Sequence, residues 1–238
     1  MNTSLFNSVR IPVWKICFVL IGFPILSTIL SLLLINKSMI TNLGLDFFTT
    51  FWTLIIAWYL GQIWIISKIL KSSSFTFKNI GYSLSKKKTT YFILGYLMLA
   101  FSIFAFVEFA LASANISNEQ LAKLSDFSNI TPKTTQQRII FIFGGLVAGI
   151  SEEFVYRGFA INAIESYGLN KWIAAVLATI PFVFQHGLKS IDQFSWFFIS
   201  GLVLSIIYFL TKKKLYVVIL IHWLVILSAI LAILQVLE

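Results

Sequence analysis

The sequence lacks most of what soluble proteins use to stay folded in water. Only 11% of its 238 residues are charged, compared with about 25% in soluble domains, and its mean hydropathy is +0.90. It has a single cysteine, Cys17, which excludes an internal disulfide and a thiolate metal site. These absences argue against a soluble enzyme, a disordered protein and a nucleic-acid-binding domain. What is present, 58% hydrophobic residues, favours a polytopic helical membrane protein.

The charges that remain are unevenly distributed. The chain has eighteen Lys and Arg residues and nine Asp and Glu residues, which gives a formal net charge of +9. Most basic residues lie in short connections between apolar runs, where they set membrane topology and meet anionic lipid headgroups. The expected partners are therefore the lipid bilayer and a substrate within it, and no nucleic acid.

The apolar runs predict an all-α, polytopic membrane helix bundle with about seven transmembrane helices, formed by residues 1–238 as a single membrane domain. A transmembrane helix needs about 20 mostly apolar residues. The candidate spans are residues 13–35, 47–70, 90–113, 138–164, 171–187, 192–210 and 215–236. The fifth and sixth are short, which suggests different depths, a tilt or a partly re-entrant segment.

Two lysine-rich connections predict the orientation of the chain in the membrane. One joins the second and third spans, and the other joins the sixth and seventh. Their lysines are Lys71, Lys78, Lys86, Lys87 and Lys88 in the first connection, and Lys212, Lys213 and Lys214 in the second. With seven spans both connections lie on one side, which the positive-inside rule makes cytoplasmic. The protein is therefore expected in the cell membrane, with its N-terminus in the cytoplasm and its C-terminus outside.

Ionisable residues inside predicted spans are functional candidates, because burying a charge in the bilayer is costly. Those that stand out are Glu108, Glu152, Glu153, Arg157, His186 and His222, and the two histidines are the only ones in the chain. The three charged residues of the fourth span form the densest cluster.

Helical geometry separates the two glutamates of this cluster. Glu153 and Arg157 are four residues apart, so they share a helix face in the favourable orientation for an ion pair. Glu152 lies about 100° round the helix and is the carboxylate left for chemistry. Gly145 and Gly149 allow another helix to approach closely, so Glu152 is expected to face the bundle interior. A purely structural ion pair that fixes helix register is the alternative interpretation.

The histidines admit structural and catalytic interpretations. His186, between Pro181 and the predicted C-cap Gly187, could be an interfacial residue, and His222 could form a helix-packing hydrogen bond. Together with Glu152 they support water activation by a carboxylate with histidine assistance. The same three side chains could instead hold a divalent metal such as zinc. The His-Glu-x-x-His spacing of many metalloproteases is absent.

Three motifs in order resemble those of the CPBP intramembrane proteases. They are Glu152–Glu153–Phe154–Val155–Tyr156–Arg157, Phe182–Val183–Phe184–Gln185–His186, and His222, which opens the third motif. This family includes type II CAAX prenyl endopeptidases and bacterial Abi proteins, some of them linked to bacteriocin self-immunity. The resemblance covers residues 138–236, the motif-bearing catalytic core helices.

The resemblance implies a membrane endopeptidase, or hydrolase, that cleaves a membrane-associated peptide or protein. Glu152 then corresponds to the water-activating carboxylate with His186 as its partner, and Glu153 with Arg157 to the supporting pair. His222 corresponds to the oxyanion stabiliser. The family substrate in eukaryotes is a prenylated CAAX protein. The composition looks bacterial, which would favour peptide pheromones, bacteriocins or lipoproteins.

One position departs from the family pattern. The third motif has Asn four residues after its histidine, and this chain has Ile226, which cannot donate a hydrogen bond to an oxyanion. The alternative function is therefore a non-enzymatic membrane regulator or bacteriocin self-immunity protein on the same scaffold. A small transporter that uses Glu108 and Glu152 as cation carriers is a third hypothesis.

Overall fold

The computed structural model describes residues 10–83, 90, 132, 134–187 and 189–235. Within this part of the chain every regular element is a helix. Glu108, nearly all of the predicted third span and most of the predicted connection 114–137 lie outside the described residues.

The described residues form six long helices, which we label α1 to α6. Helix α1 is Val13–Leu34, α2 is Phe47–Ser72, α4 is Lys171–Phe184, α5 is Phe194–Leu210 and α6 is Leu215–Gln235. Helix α3 consists of an α-helical part, Thr135–Glu152, a π-helical part, Glu153–Ile161, and a final turn, Asn162–Glu165. Short helical turns at Ser38–Thr41 and Lys189–Asp192 lie in the connections.

These helices match the predicted spans that fall on described residues. Three of them, α1 to α3, are long and apolar enough to cross a membrane, and the other three are shorter apolar helices. The structure thus shows an all-helical fold with several membrane-type helices, but it does not confirm the number seven. Helix α4 ends at Phe184, before the predicted end at residue 187, so His186 lies in the turn after the helix.

Side-chain caps define where several helices begin. The Asp46 carboxylate accepts a hydrogen bond from the backbone N–H of Thr49 at the start of α2, at 2.8 Å. Thr134 and Asn170 cap α3 and α4 in the same way. Such caps satisfy backbone N–H groups that the first turn of a helix leaves unpaired. The chain turns after α4 at Gly187, whose φ of +65° suits glycine.

One end of the bundle is called the lysine end. There, the ends of five helices and the extended residues before α1 are held together by side-chain and backbone contacts. The contacts are Tyr167 Oη to the Ile11 carbonyl (2.8 Å), Lys15 Nζ to Ser72 Oγ (2.7 Å), the Leu215 N–H to the Gly81 carbonyl (3.1 Å), and the Lys213–Glu165 ion pair. The described basic residues at this end are Arg10, Lys15, Lys68, Lys71, Lys78, Lys171, Lys212, Lys213 and Lys214. The described part of the first lysine-rich connection therefore meets the second connection at the same end.

Helix α3 lies at the centre of the described bundle. It packs against α2, α4 and α6, and every residue of its π-helical part is buried. Because neighbouring helices surround it, α3 can carry charged side chains away from lipid.

Candidate active site

The candidate site is built around the π-helical part of α3. A π-helix is rare and is frequent at functional sites, and the α-helical spacing assumed from the sequence does not hold between Glu153 and Ile161. Glu153 and Arg157 nevertheless pair, with Arg157 Nη1 donating to Glu153 Oε1 at 3.0 Å. The π-helical geometry changes which residues of other helices contact Glu152, Glu153 and Arg157. A helical wheel drawn from the sequence could not predict these contacts.

Arg157 is satisfied on three sides although its side chain is only 1% exposed. Besides the Glu153 contact, its Nη2 donates to the carbonyl of Gly201 on α5 at 3.0 Å. Its guanidinium also lies 4.3 Å from the centroid of the Phe182 ring, a cation–π geometry. The arginine thus links α3 to α4 and α5.

His222 joins the two glutamates. Its Nδ1 lies 2.8 Å from Glu153 Oε1. Since an ionised carboxylate only accepts hydrogen bonds, Nδ1 is the donor in this contact. The ring then turns Nε2 toward Glu152, 3.6 Å from Oε2. The contact between His222 and Glu153 was not predicted from the sequence.

His186 approaches the other oxygen of the Glu152 carboxylate. Its Nδ1 lies 3.0 Å from the carbonyl oxygen of Phe182, which can only accept, so Nδ1 donates. Its Nε2 lies 3.9 Å from Glu152 Oε1. The ring stacks on Phe197 with a centroid distance of 3.8 Å. Both histidines therefore present Nε2 to Glu152.

Glu152 is 2% exposed and receives one direct hydrogen bond, from the Tyr59 hydroxyl to Oε1 at 2.7 Å. Tyr59 lies on α2, and nothing in the three motifs indicates it. A tyrosine in an apolar span could have been noted as a hydrogen-bond donor, but its partner could not be deduced.

Gln185 is a second residue that the sequence analysis missed. It precedes His186 and is 3% exposed, and its Oε1 accepts a hydrogen bond from Tyr156 Oη at 2.9 Å. Its Nε2 makes no regular hydrogen bond with the described residues, although the Gln185 side chain does interact with Tyr59. Its place inside the Phe-x-x-x-His motif was the available signal.

These groups line a cavity of about 290 Å³. Its walls are mainly aromatic and aliphatic. Ile226 is one of the wall residues, so the position where the third motif has Asn lies in the cavity wall. The lining residues are Ser27, Ser31, Leu34, Phe51, Trp52, Ile55, Trp58, Tyr59, Gly145, Ala148, Glu152, Gln185, His186, Gln193, Phe197, His222 and Ile226.

Glu152, His186 and His222 can be compared with the ligands that a metal ion requires. Two imidazole Nε2 atoms and a carboxylate are ligand types that zinc accepts. In the described part of the chain, however, no group of three or more His, Cys, Asp or Glu side chains is arranged to hold a metal ion. The zinc alternative therefore rests on the donor types alone, and Glu152, His186 and His222 are the residues that would hold the ion.

Comparison with known families adds an independent finding. The family model for type II CAAX prenyl endopeptidase Rce1-like proteins matches residues 134–228. This segment, which is less than half of the chain, is similar to the CAAX protease family, and we call it the CAAX protease segment. The recognition made from the three motifs is confirmed. Searches of curated proteins and of solved structures found no match.

The CAAX protease segment runs from the cap of α3 into α6 and contains all five candidate residues. The family supports a membrane protease of the CAAX type, and the apolar helices support a location in a membrane. Helices α1 and α2 lie outside the matched segment, although α2 supplies Tyr59 to the site.

Proposed function

We propose that the chain is an intramembrane endopeptidase that hydrolyses a peptide bond of a membrane-associated peptide or protein. The observation that carries this proposal is the convergence on Glu152. Two imidazole Nε2 atoms lie 3.6 and 3.9 Å from its carboxylate, inside a mainly apolar cavity and within a CAAX protease segment.

In the first step Glu152 acts as a general base toward water. A water molecule beside the carboxylate donates one proton to Glu152, while its second hydrogen bonds to His186 Nε2, which orients it. The water oxygen forms a bond to the carbonyl carbon of the substrate. The electron pair of the carbonyl π bond moves to the carbonyl oxygen, which becomes an oxyanion.

The oxyanion needs hydrogen-bond donors, and Tyr59 and His222 are in position to supply them. Once Glu152 is protonated it is a weaker acceptor, so the Tyr59 hydroxyl can donate to the oxyanion instead. His222 can donate from Nε2 when both of its ring nitrogens carry protons, while its Nδ1 keeps its hydrogen bond to Glu153. Donors already in place stabilise such an intermediate because they need no reorganisation.

In the second step the intermediate collapses. The proton on Glu152 moves to the nitrogen of the scissile bond, the C–N bond breaks, and the oxyanion electrons restore the carbonyl. The products are a carboxylic acid and an amine, and Glu152 returns to its carboxylate form. Arg157 acts indirectly, because its ion pair holds the Glu153 carboxylate beside Nδ1 of His222.

This scheme is written with the side chains alone; a divalent metal, if one binds, would be held by Glu152, His186 and His222 and would supply Lewis-acid activation of the water. Addition and removal of zinc with a chelator tests this directly. We expect cleavage to persist in the chelator, and strict zinc dependence would contradict the scheme.

The test is cleavage of a library of internally quenched peptides by purified protein in phosphatidylcholine–phosphatidylglycerol vesicles. Glu152→Gln keeps the shape of the side chain and removes the base. We expect it to lose about 10²–10⁴-fold in kcat, the range of general base catalysis. A wild type no faster than Glu152→Gln on every peptide would refute the proposal.

Ile226 favours the second candidate, a non-enzymatic regulator or self-immunity protein that keeps the scaffold. Its side chain lies in the cavity wall, where the family has a donor. This candidate predicts no cleavage by wild type and full biological function of Glu152→Gln in cells, so the same pair of proteins separates the two.

The proposed location is the cell membrane, with the lysine end in the cytoplasm. Support comes from the contacts that bring both lysine-rich connections to one end of the bundle, where the positive-inside rule acts on them together. The N-terminus, which enters the bundle at that end through Ile11 and Lys15, is then cytoplasmic.

A further inference from the structure

The depth of the site follows from the direction of the chain. Helix α3 ends at the lysine end with Glu165, and Glu152 lies about 15–20 Å before that end at the usual rise per residue. Helix α6 begins at the lysine end with Leu215, which places His222 about 10 Å from it. The catalytic side chains therefore lie in the middle of the bundle, some distance from the lysines.

The cavity extends from this point in one direction only. Leu34 is the last residue of α1, which starts near the lysine end. Phe51 lies in the first turns of α2, whose other end is at Ser72 beside Lys15. Gln193 lies in the connection between α4 and α5, opposite the connection that carries Lys212. In the described part of the chain, these lining residues place the mouth of the cavity at the end opposite the lysine end.

The two ends differ in charge. The described charged residues toward the mouth are mixed in sign, namely Lys37, Asp46, Arg138, Lys189 and Asp192. The lysine end combines its many basic residues with one acidic residue, Glu165, which is already paired. An excess of Lys and Arg marks the cytoplasmic side of a membrane protein, so the mouth faces away from the cytoplasm.

The lining also restricts what can enter. Apart from Glu152 and the two histidines, the residues that line the cavity carry no charge, and six of them are Phe, Trp or Ile. Away from Glu152 and the histidines, a charged substrate side chain would lose its hydration there without gaining a partner, which costs free energy. An apolar segment would lose little.

We propose that the site receives its substrate from the non-cytoplasmic side of the membrane, and that the substrate is an uncharged, apolar segment of an exported peptide or of a membrane protein. That the bound segment is a substrate rests on the proposed function. The direction from which the cavity is reached does not depend on catalysis. A soluble cytoplasmic tail would reach the bundle at the wrong end.

Direction of access is tested by cysteine labelling, for which the chain is well suited because Cys17 is its only cysteine. In a Cys17→Ser background, single cysteines are placed at the mouth (Gln193→Cys), deeper in the cavity (Ile55→Cys) and at the lysine end (Lys78→Cys). A membrane-impermeant maleimide is added to intact bacterial cells and then to permeabilised cells. Leu54→Cys is the matched control for Ile55, since Leu54 is 40% exposed and does not line the cavity.

We expect Gln193→Cys and Ile55→Cys to react in intact cells, with Ile55→Cys slower, and Lys78→Cys to react only after permeabilisation. Leu54→Cys should stay unlabelled in both. Labelling of Lys78→Cys in intact cells, or of Gln193→Cys only after permeabilisation, would overturn the inference. Reaction of Leu54→Cys as fast as Ile55→Cys would show that no enclosed cavity is reached. These outcomes leave the proposed endopeptidase activity untouched, whereas its failure in the peptide assay leaves the labelling result standing.

Substrate class is tested with matched peptides from the quenched library that differ at one residue next to the cleaved bond. Replacing an apolar residue there by Asp or Lys should lower kcat/KM at least about tenfold, since it places an unpaired charge in the cavity. Equal cleavage of charged and apolar members would overturn the assignment of an apolar substrate.

Discussion

Helices α2 and α3 are both long and apolar enough to cross a membrane, yet they serve the site in different ways. In α3 56% of the most apolar stretch is buried inside the protein, compared with 22% in α2. Helix α3 contributes two carboxylates and an arginine to the site, whereas the polar group that α2 brings to Glu152 is the neutral hydroxyl of Tyr59. The difference shows that charged groups are placed where other helices enclose them, because lipid would not tolerate them.

Neutral polar groups join the two helices. Ser151 of α3 donates a hydrogen bond to Gln62 Oε1 at 2.9 Å, and Tyr59 donates to Glu152. The site therefore extends beyond the family segment, which starts at residue 134. The following predictions test how far α2 and α3 differ.

The largest effect is expected for Arg157→Ala in α3. Removing one partner of a buried ion pair leaves an uncompensated charge and costs about 3–5 kcal/mol. Folded yield, measured by fluorescence-detected size-exclusion chromatography, should fall together with activity. The control is Glu165→Gln, because its pair with Lys213 is 22% exposed and should be worth about 0–1 kcal/mol. Normal yield of Arg157→Ala with selective loss of cleavage would instead mean that Arg157 binds substrate.

The next effect is expected in α2, for Tyr59→Phe, which removes one hydroxyl. If that hydroxyl stabilises the oxyanion, kcat should fall by about 10²–10³ with little change in KM. Adding Ile226→Asn to this variant should recover part of the loss, since it restores a donor in the cavity wall.

The matched control is Tyr208→Phe. Tyr208 Oη contacts the Ile80 carbonyl, so its loss should leave kcat unchanged. A Tyr59→Phe variant that is impaired but not improved by Ile226→Asn would show that Tyr59 only positions Glu152.

A smaller effect is expected when one glycine in each helix is replaced by alanine. A Cβ on Gly149 of α3 would lie 2.6 Å from the Trp223 ring of α6, so Gly149→Ala should cost about 1–3 kcal/mol through overpacking. A Cβ on Gly61 of α2 would find its nearest neighbour at 4.0 Å. Gly61→Ala should therefore be neutral or stabilising by about 0.5–1 kcal/mol. Thermal unfolding in detergent measures both, and equal losses would contradict the close approach of α6 to α3.

The smallest effect is expected for Asp46→Ala at the start of α2, where loss of the cap should cost about 1 kcal/mol. Hydrogen bonds from the Thr49 side chain and backbone lower the pKa of the Asp46 carboxyl. Its contribution is therefore complete above the unfolded pKa of about 3.9 and disappears as the pH falls through the folded pKa. Thermal scans at pH 7 and pH 3 should show a difference between wild type and Asp46→Ala that shrinks at pH 3.

The sequence anticipated the parts of the site that lie on one helix. The pairing of Glu153 with Arg157, the burial of Glu152 and the close approach at Gly149 all follow from local spacing, because residues three and four apart are neighbours on a helix. The π-helical part of α3 did not follow, and neither did the contact of Glu153 with His222 on α6. The single domain, the count of seven spans and the position of Glu108 stay predictions.

By itself the sequence determined that the chain is a membrane helix bundle with a carboxylate and two histidines on separate spans, because the bilayer imposes length and hydropathy on every span. Only the tertiary structure decided what those groups do together. It turned both Nε2 atoms toward one carboxylate, brought Tyr59 to that carboxylate from 93 residues away, and opened the cavity at the end opposite the lysines. Such contacts depend on how helices pack and rotate against one another, which side-chain shape sets across the whole bundle and no local pattern encodes.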